Sequence, residues 1–293
     1  MCVMGSDLAV HPDYRRMGVR TVMRDRKFER LVPMGVSFTT SVSGNPIIVD
    51  HSMRENLPHF PHPVAGYVLI RDIDLHMERM PVDRAWVKKT GYKALSAVKK
   101  LEGALFGKRS APDGVRVVSA ERFPGEADAL WDAASKSYDY VGVRDSSYLN
   151  WRYCDPRSGP FTTLLAYDGD TLVGYLVYAV NSFLDGYPVG YIVDLLTLPD
   201  KPEAADLLIG EALEALWAGD VNIVNGLAVK GSQQEEAYKT SGFLDSLVRL
   251  HVFMRPVASQ AEIQRLSSLA PDRIYFTWGD HDTLPLTTGT DSL

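Results

Sequence analysis

Three arginines and a glycine crowd one short stretch near the N-terminus, Arg15-Arg16-Met17-Gly18-Val19-Arg20. The apolar run Leu8-Ala9-Val10 and the dipeptide His11-Pro12 precede it, and residues 21–31, beginning at Thr21, predict a helix behind it. A strand, a basic turn and a helix in that order can hold a pyrophosphate. The first turn of a helix leaves backbone N–H groups without partners, and the helix dipole favours an anion there. Gly18 lets the backbone approach a phosphate closely, while Arg15, Arg16 and Arg20 bring charge-assisted hydrogen bonds. A purely structural turn gains little from arginines at this end of a helix, because they oppose the dipole.

The elements that must position this loop can be read along the chain. Residues 35–42 and 64–73 predict strands rich in β-branched and aromatic residues, with a short helix near 50–56 between them. Over residues 84–109 acidic residues nearly vanish, and lysines flank the stripe Leu95, Val98, Leu101 and Leu105. That spacing predicts a connecting helix with one apolar and one basic face. A second unit follows, with strands at 115–119, 161–167, 171–180, 190–198, 221–229 and 247–254 and helices at 126–138, 203–217 and 232–240. Its hairpin turns at Asp168-Gly169-Asp170. We therefore divide the chain into a loop-bearing unit (1–83), a basic helical linker (84–114), a second unit (115–257) and a tail (258–293) with one short helix.

Val10-His11-Pro12-Asp13-Tyr14-Arg15-Arg16-Met17-Gly18-Val19 resembles the acetyl-CoA signature of the GNAT acyltransferase superfamily. In that signature Arg or Gln, two free residues, Gly, one free residue and Gly or Ala follow a strand; here Arg20 stands at the small position. Ala237-Tyr238-Lys239-Thr240-Ser241-Gly242-Phe243 is similar to the segment in which a Tyr on the last helix precedes Gly-Phe and the final strand. The resemblance implies an α/β fold with a mixed sheet, built from two tandem GNAT-like acyl-CoA N-acyltransferase units. The first would lack its N-terminal half, leaving the strand near Leu8 as an unpaired edge. It further implies acetyl-CoA as co-substrate, held by Arg15, Arg16, Gly18, Val19, Arg20 and Thr21, with N–H groups near Ala9 and Val10 polarising the thioester carbonyl. A small amine would be the acceptor, and Tyr238 or His51 the group that moves a proton. The second unit carries Pro199-Asp200-Lys201-Pro202-Glu203 at the loop position, without a glycine and with two acids.

Tyr148, Trp151 and Arg152 fall in Tyr148-Leu149-Asn150-Trp151-Arg152-Tyr153, behind an N-cap Asp145. They would line an acceptor pocket or simply pack a helix on the sheet. This segment and Trp278-Gly279-Asp280-His281-Asp282 are similar to elements of tandem GNAT proteins of polysaccharide modification, which implies an amino sugar among the acceptors. His59 and His62 flank Phe60-Pro61 and Asp280-His281-Asp282 stands alone, so no metal is expected.

A net charge of -6 argues against a nucleic-acid partner. No apolar run approaches the ~20 residues of a membrane span, and Cys2 and Cys154 are the only cysteines, so a cytoplasmic protein is expected. Two other functions fit parts of this pattern. One is a non-catalytic GNAT-derived scaffold, suggested by the degenerate second loop. The other is a Fem-type aminoacyl transferase, which also pairs two such folds.

Overall fold

Nine strands form one mixed sheet in the computed structural model, which describes residues 2–5, 10–79, 114–184 and 187–281. The strands are β1 (Cys2–Met4), β2 (Phe38–Ser43), β3 (Val64–Ile70), β4 (Val115–Ala120), β5 (Phe161–Asp168), β6 (Thr171–Leu184), β7 (Tyr187–Thr197), β8 (Ile223–Val229) and β9 (Leu244–Pro256). Their order across the sheet is β1-β2-β9-β3-β8-β7-β6-β5-β4. The helices are α1 (Val19–Leu31), α2 (Pro46–Arg54), α3 (Ile73–Arg79), α4 (Glu126–Ala134), α5 (Ser146–Leu149), α6 (Pro202–Ala218), α7 (Gln233–Thr240) and α8 (Gln260–Leu266). The basic helical linker expected over 84–114 lies outside the described residues, Gly114 apart.

The run β1-α1-β2-α2-β3 recurs as β7-α6-β8-α7-β9, and the hydrogen-bond register repeats with it. β1 runs parallel to β2 with Cys2 opposite Phe38, and β7 runs parallel to β8 with Val189 opposite Ile223. Phe38 then pairs with Pro256 of β9, and Ile223 with Ile70 of β3. Each unit's third strand is therefore inserted into the other unit. β3 and β9 pair with one another at the centre, where Val64 opposite Leu250 maps onto itself. The sequence leads one to expect a separate sheet in each unit. Instead the two share one sheet, because exchange of the third strands leaves neither with a complete set of neighbours.

The repeat is unequal in its packing. α6 buries Ala204, Ala205, Leu208, Ile209, Ala212 and Leu216, lying over β4–β7. α1 buries only Leu31. On the opposite face of the sheet, α4 and α5 close a core around Leu130, Leu149, Tyr175 and Tyr275. A third core joins β2, β3 and β9 to α8 through Phe38, Val64, Leu250, Ile263 and Ile274.

The tail binds these cores together. Ile274 bridges to Tyr140 beside β2 and β9, while Tyr275, Thr277 and Gly279 reach β7. Asp194 of β7 accepts hydrogen bonds from Arg144 Nε (3.1 Å), Tyr153 OH (2.9 Å), Tyr175 OH (3.1 Å), Tyr275 OH (2.7 Å) and Thr277 Oγ1 (3.0 Å). Arg144, 1% exposed, also donates to Asp280 at 2.7 Å and to the Gly142 carbonyl at 2.8 Å. A buried ion pair is stable only when its charged atoms find partners, and here each nitrogen of the Arg144 guanidinium and both oxygens of Asp194 have one. Asp194→Ala should cost about 3–5 kcal/mol, the scale for stranding a buried charge. Urea unfolding checks this, and a loss under 1 kcal/mol would show that Asp280 alone compensates Arg144.

His76 of α3 fixes the start of β7. Asn222 Nδ2 donates to Tyr187 OH at 3.0 Å, so the Tyr187 proton goes to His76 Nδ1 at 2.7 Å. Burial holds His76 below the usual histidine pKa. A group with a lowered folded pKa contributes stability that is complete above its unfolded value and is lost as pH falls through the folded one. Unfolding free energy should therefore fall from pH 7 to 5, and His76→Gln should flatten that slope. An unchanged slope in the variant would count against His76.

Candidate active site

The loop between β1 and α1 is built from turns that its own residues specify. Pro12–Tyr14 form one 3-10 turn, which Pro12 opens, and the His11 imidazole accepts from the Asp13 N–H. Arg15 Nε donates to the Val10 carbonyl at 3.2 Å and ties the two ends of this turn together. Arg16 then takes a left-handed conformation at φ 67°, and Gly18 does so at φ 77°. Gly18 is the N-cap of α1, which begins at Val19 and so includes the Val19, Arg20 and Thr21 singled out from the sequence. Thr21 and Val22 N–H groups bond the Gly18 carbonyl, and no side chain caps the helix. The Val19 and Arg20 N–H groups thus face no capping side chain that would compete with an anion. Arg15, Arg16, Gly18 and Arg20 are all exposed; Val10 is half-buried, and Ala9 lies outside the described residues.

In the first unit Cys2, Val3 and Met4 pair with Phe38, Thr39 and Thr40, and Gly5 N–H reaches the Thr40 carbonyl at 2.8 Å. In the second unit β7 and β8 pair only over Val189–Tyr191 while β7 continues to Thr197, so that parallel pair splits. The stretch beyond the split carries Asp194, and the Tyr275 hydroxyl bonds the Leu195 carbonyl at 2.8 Å. This fork is filled by the protein's own side chains. Superposing the two registers reveals a sequence repeat: Asp7-Leu8 followed by Pro12-Asp13 matches Asp194-Leu195 followed by Pro199-Asp200 at equal spacing. After that point one unit has Arg15, Arg16 and Gly18 and the other has Pro202 and Glu203.

The repeat also relates the two proton-transfer candidates. His51 is the sixth residue of α2 and Tyr238 the sixth of α7, behind the N-caps Asn45 and Ser232. Their surroundings are opposite. His51 is exposed, with Nε2 3.2 Å from Glu55, and Glu55 in turn lies 3.6 Å from Arg255 of β9. Tyr238 is 1% exposed, stacked on Tyr67 at 5.6 Å and packed against Phe243 at 5.1 Å. A Cβ on Gly226 would strike its ring, so that glycine is what admits Tyr238 to the core. Burial drives its phenol pKa far up.

No protein-family model and no curated protein sequence matches the chain. Solved structures do. A tandem GNAT protein from the clavulanic acid biosynthesis pathway superposes with a TM-score of 0.53 at 14% identity, over 88% of this chain and 75% of that one. N-myristoyltransferase of Saccharomyces cerevisiae, solved with bound myristoyl-CoA and inhibitors, gives 0.54 at 11% identity, over 91% of this chain and 66% of its own. The chain has the tandem GNAT fold. At these identities the likeness is one of fold, and the chain spans just under two thirds of the length of the yeast enzyme.

Within the tandem GNAT fold, Tyr148, Trp151 and Arg152 sit on α5 and the π-helical turn that continues it as far as Cys154. Asp145 caps this helix as expected, accepting from Tyr148 N–H at 2.7 Å. Trp151 is 60% exposed with its ring 5.6 Å from Tyr148, while the Arg152 guanidinium lies 6.0 Å from the Tyr153 ring. All three belong to the second unit, apart in sequence from the Arg15–Gly18 loop. Among the described residues no group of three His, Cys, Asp or Glu side chains lies close enough to hold a metal. His59 Nδ1 instead lies 3.0 Å from the Leu57 carbonyl. Arg144, which the sequence offers with Arg152 as an arginine for an acceptor pocket, is instead buried against Asp194, Asp280 and the Gly142 carbonyl.

Tyr238→Phe should leave acyl transfer within a few fold of wild type and act on stability alone. A drop of about a hundredfold or more with the fold intact, the scale of acid–base catalysis, would show that the phenol takes part in the chemistry.

Proposed function

We propose that this protein is an N-acyltransferase that moves an acetyl or related acyl group from acyl-CoA to a small amine, with an amino sugar among the acceptors. The first unit holds the co-substrate and the second acts mainly as scaffold. The observation that carries this reading is the loop. A left-handed Gly18 caps α1, no side chain caps the helix start, and Arg15, Arg16 and Arg20 are exposed around it. The pyrophosphate would lie on the N–H groups of Val19 and Arg20, with Thr21 beside it. The second unit is the poorer binder on two counts: its fork is occupied by the Asp194 network, and Asp200 and Glu203 flank its loop. Free Cys2 and Cys154 and the absence, among the described residues, of a helix long and apolar enough to cross a membrane fit action in the cytoplasm.

The chemistry asked of the site is modest in charge. An amine attacks the thioester carbonyl, an oxyanion forms and collapses, and the CoA sulfur leaves with the electron pair. Positioning by the pyrophosphate supplies the orientation that brings donor and acceptor together.

Calorimetric titration with acetyl-CoA tests the reading. Gly18→Val forces a β-branched residue into the left-handed region and should abolish binding, although open space surrounds the position. Arg16→Gly should relieve strain at a left-handed arginine and leave the fold at least as stable, yet lose about 1–3 kcal/mol of affinity with the charged hydrogen bond. Arg15→Ala should lose a similar amount, and Lys201→Ala in the second unit nothing. Equal affinities across the set would reject the loop.

A further inference from the structure

The positive charge of α1 runs well past the loop at its head. Residues 13–31 hold six arginines and one lysine against three carboxylates, in a chain whose net charge is -6, and every one of these charged residues is exposed. At 1.5 Å per residue, Arg26 and Arg30 lie about 12 and 18 Å along the axis from the Gly18 cap. The N–H groups and the dipole that hold a phosphate act only over the first turn. A phosphate seated there does not account for charges so far along the helix.

Apolar groups share this surface. Leu31 is buried and Phe28 half-buried, which turns the opposite side of α1 outward. Val22, Arg26 and Arg30 recur there at four-residue spacing, with Met23 beside them. Val22 is 61% exposed, Met23 50% and Met17, in the loop at the head of the helix, 68%. The two carboxylates of the helix lie 3.0 Å from their neighbours, Asp25 from Arg24 and Glu29 from Arg26. Exposed pairs of this kind contribute little and exchange partners readily. Guanidinium groups interleaved with valine and methionine fit an acidic helix of a soluble protein, since arginine takes carboxylates bidentately and methionine adapts to apolar neighbours. With Asp25 and Glu29 on it the helix is too polar to lie in a bilayer, and the acidic remainder of the chain repels a long polyanion.

We propose that α1 is the docking surface for an acidic acyl-carrier protein, which delivers its acyl group on a phosphopantetheine arm to the Arg15–Gly18 loop. The proposal rests on the acyltransferase reading above and deepens it by naming a class of donor. CoA and such a carrier present the same phosphopantetheine thioester. The carrier replaces the nucleotide with a protein surface, which can cover the helix along its whole length. The transfer is unchanged: the amine nitrogen bonds the carbonyl carbon, the C–S bond breaks with its electron pair on sulfur, and the proton shed by the nitrogen ends on the carrier's thiol. A basic patch on an otherwise acidic chain also steers an acidic partner to this face and away from the others.

The test uses the whole chain and a fluorescently labelled bacterial acyl carrier protein, acetylated on its phosphopantetheine, with anisotropy as readout and no acceptor needed. The carrier should bind at low salt and weaken about tenfold as sodium chloride rises from about 50 to about 300 mM. Arg26→Glu combined with Arg30→Glu should weaken the carrier by about tenfold or more, while acetyl-CoA affinity by calorimetry stays within about twofold. If that double variant fails to fold by circular dichroism, Arg26→Gln with Arg30→Gln serves in its place. Normal acetyl-CoA binding without carrier binding overturns the proposal and leaves the acyltransferase reading standing. Equal carrier affinity in wild type and the double variant does the same. Wild-type binding to vesicles of phosphatidylglycerol and phosphatidylcholine, or self-association of the chain, that the double variant abolishes gives this face to lipid or to a second copy, and overturns the proposal as well. Wild-type protein that binds neither acetyl-CoA nor the carrier overturns the functional reading and this proposal together.

Discussion

The antiparallel contact between β3 and β9 is the constraint on which the molecule depends. Each of these strands closes its own unit in sequence but completes the other in space, with Val64 and Leu250 at the point of near-symmetry. The hydrogen bonds of β3 are spent on β8 and β9, both from the second unit. Backbone groups buried in a sheet must be paired, so neither unit can satisfy its central strands without the other. The loop-bearing unit, with few strands and a largely exposed α1, thereby gains a rigid base.

The two units differ beside their loops. In the second unit the parallel pair β7–β8 splits, the carboxylate of Asp194 draws in Arg144, three tyrosine hydroxyls and Thr277, and the gap becomes a tail-bearing joint. That network is costly to desolvate and stable only because every partner is present. The first unit instead keeps exposed arginines in its loop and a helix start that no side chain caps.

Glycines mark where this architecture needs backbone to do what side chains prevent. Gly18 turns the chain through a left-handed conformation to open α1, and Gly226 leaves room for the Tyr238 ring beneath β8. The same helix position that holds Tyr238 in the core holds His51 at the surface, and β2 carries exposed Ser41 where β8 has Gly226. Equivalent sites on a repeated fold have thus acquired a packing role in one unit and a solvent-facing one in the other.

Much was determined by the sequence alone. The spacing of Arg15, Arg16 and Gly18 after a strand specified the loop, since left-handed turns and helix caps are local matters of a few residues. The order of strands and helices specified two units of one fold, and apolar periodicity placed α6 and β5–β9 within a few residues. Tertiary structure alone decided which strands neighbour one another, because the β3–β9 exchange joins residues far apart in sequence through backbone hydrogen bonds that any residue makes. It also decided that Tyr238 is core and that Asp194 and Arg144 form a buried hub. Burial and ion pairing of this kind join residues far apart in sequence, and only the fold brings them together.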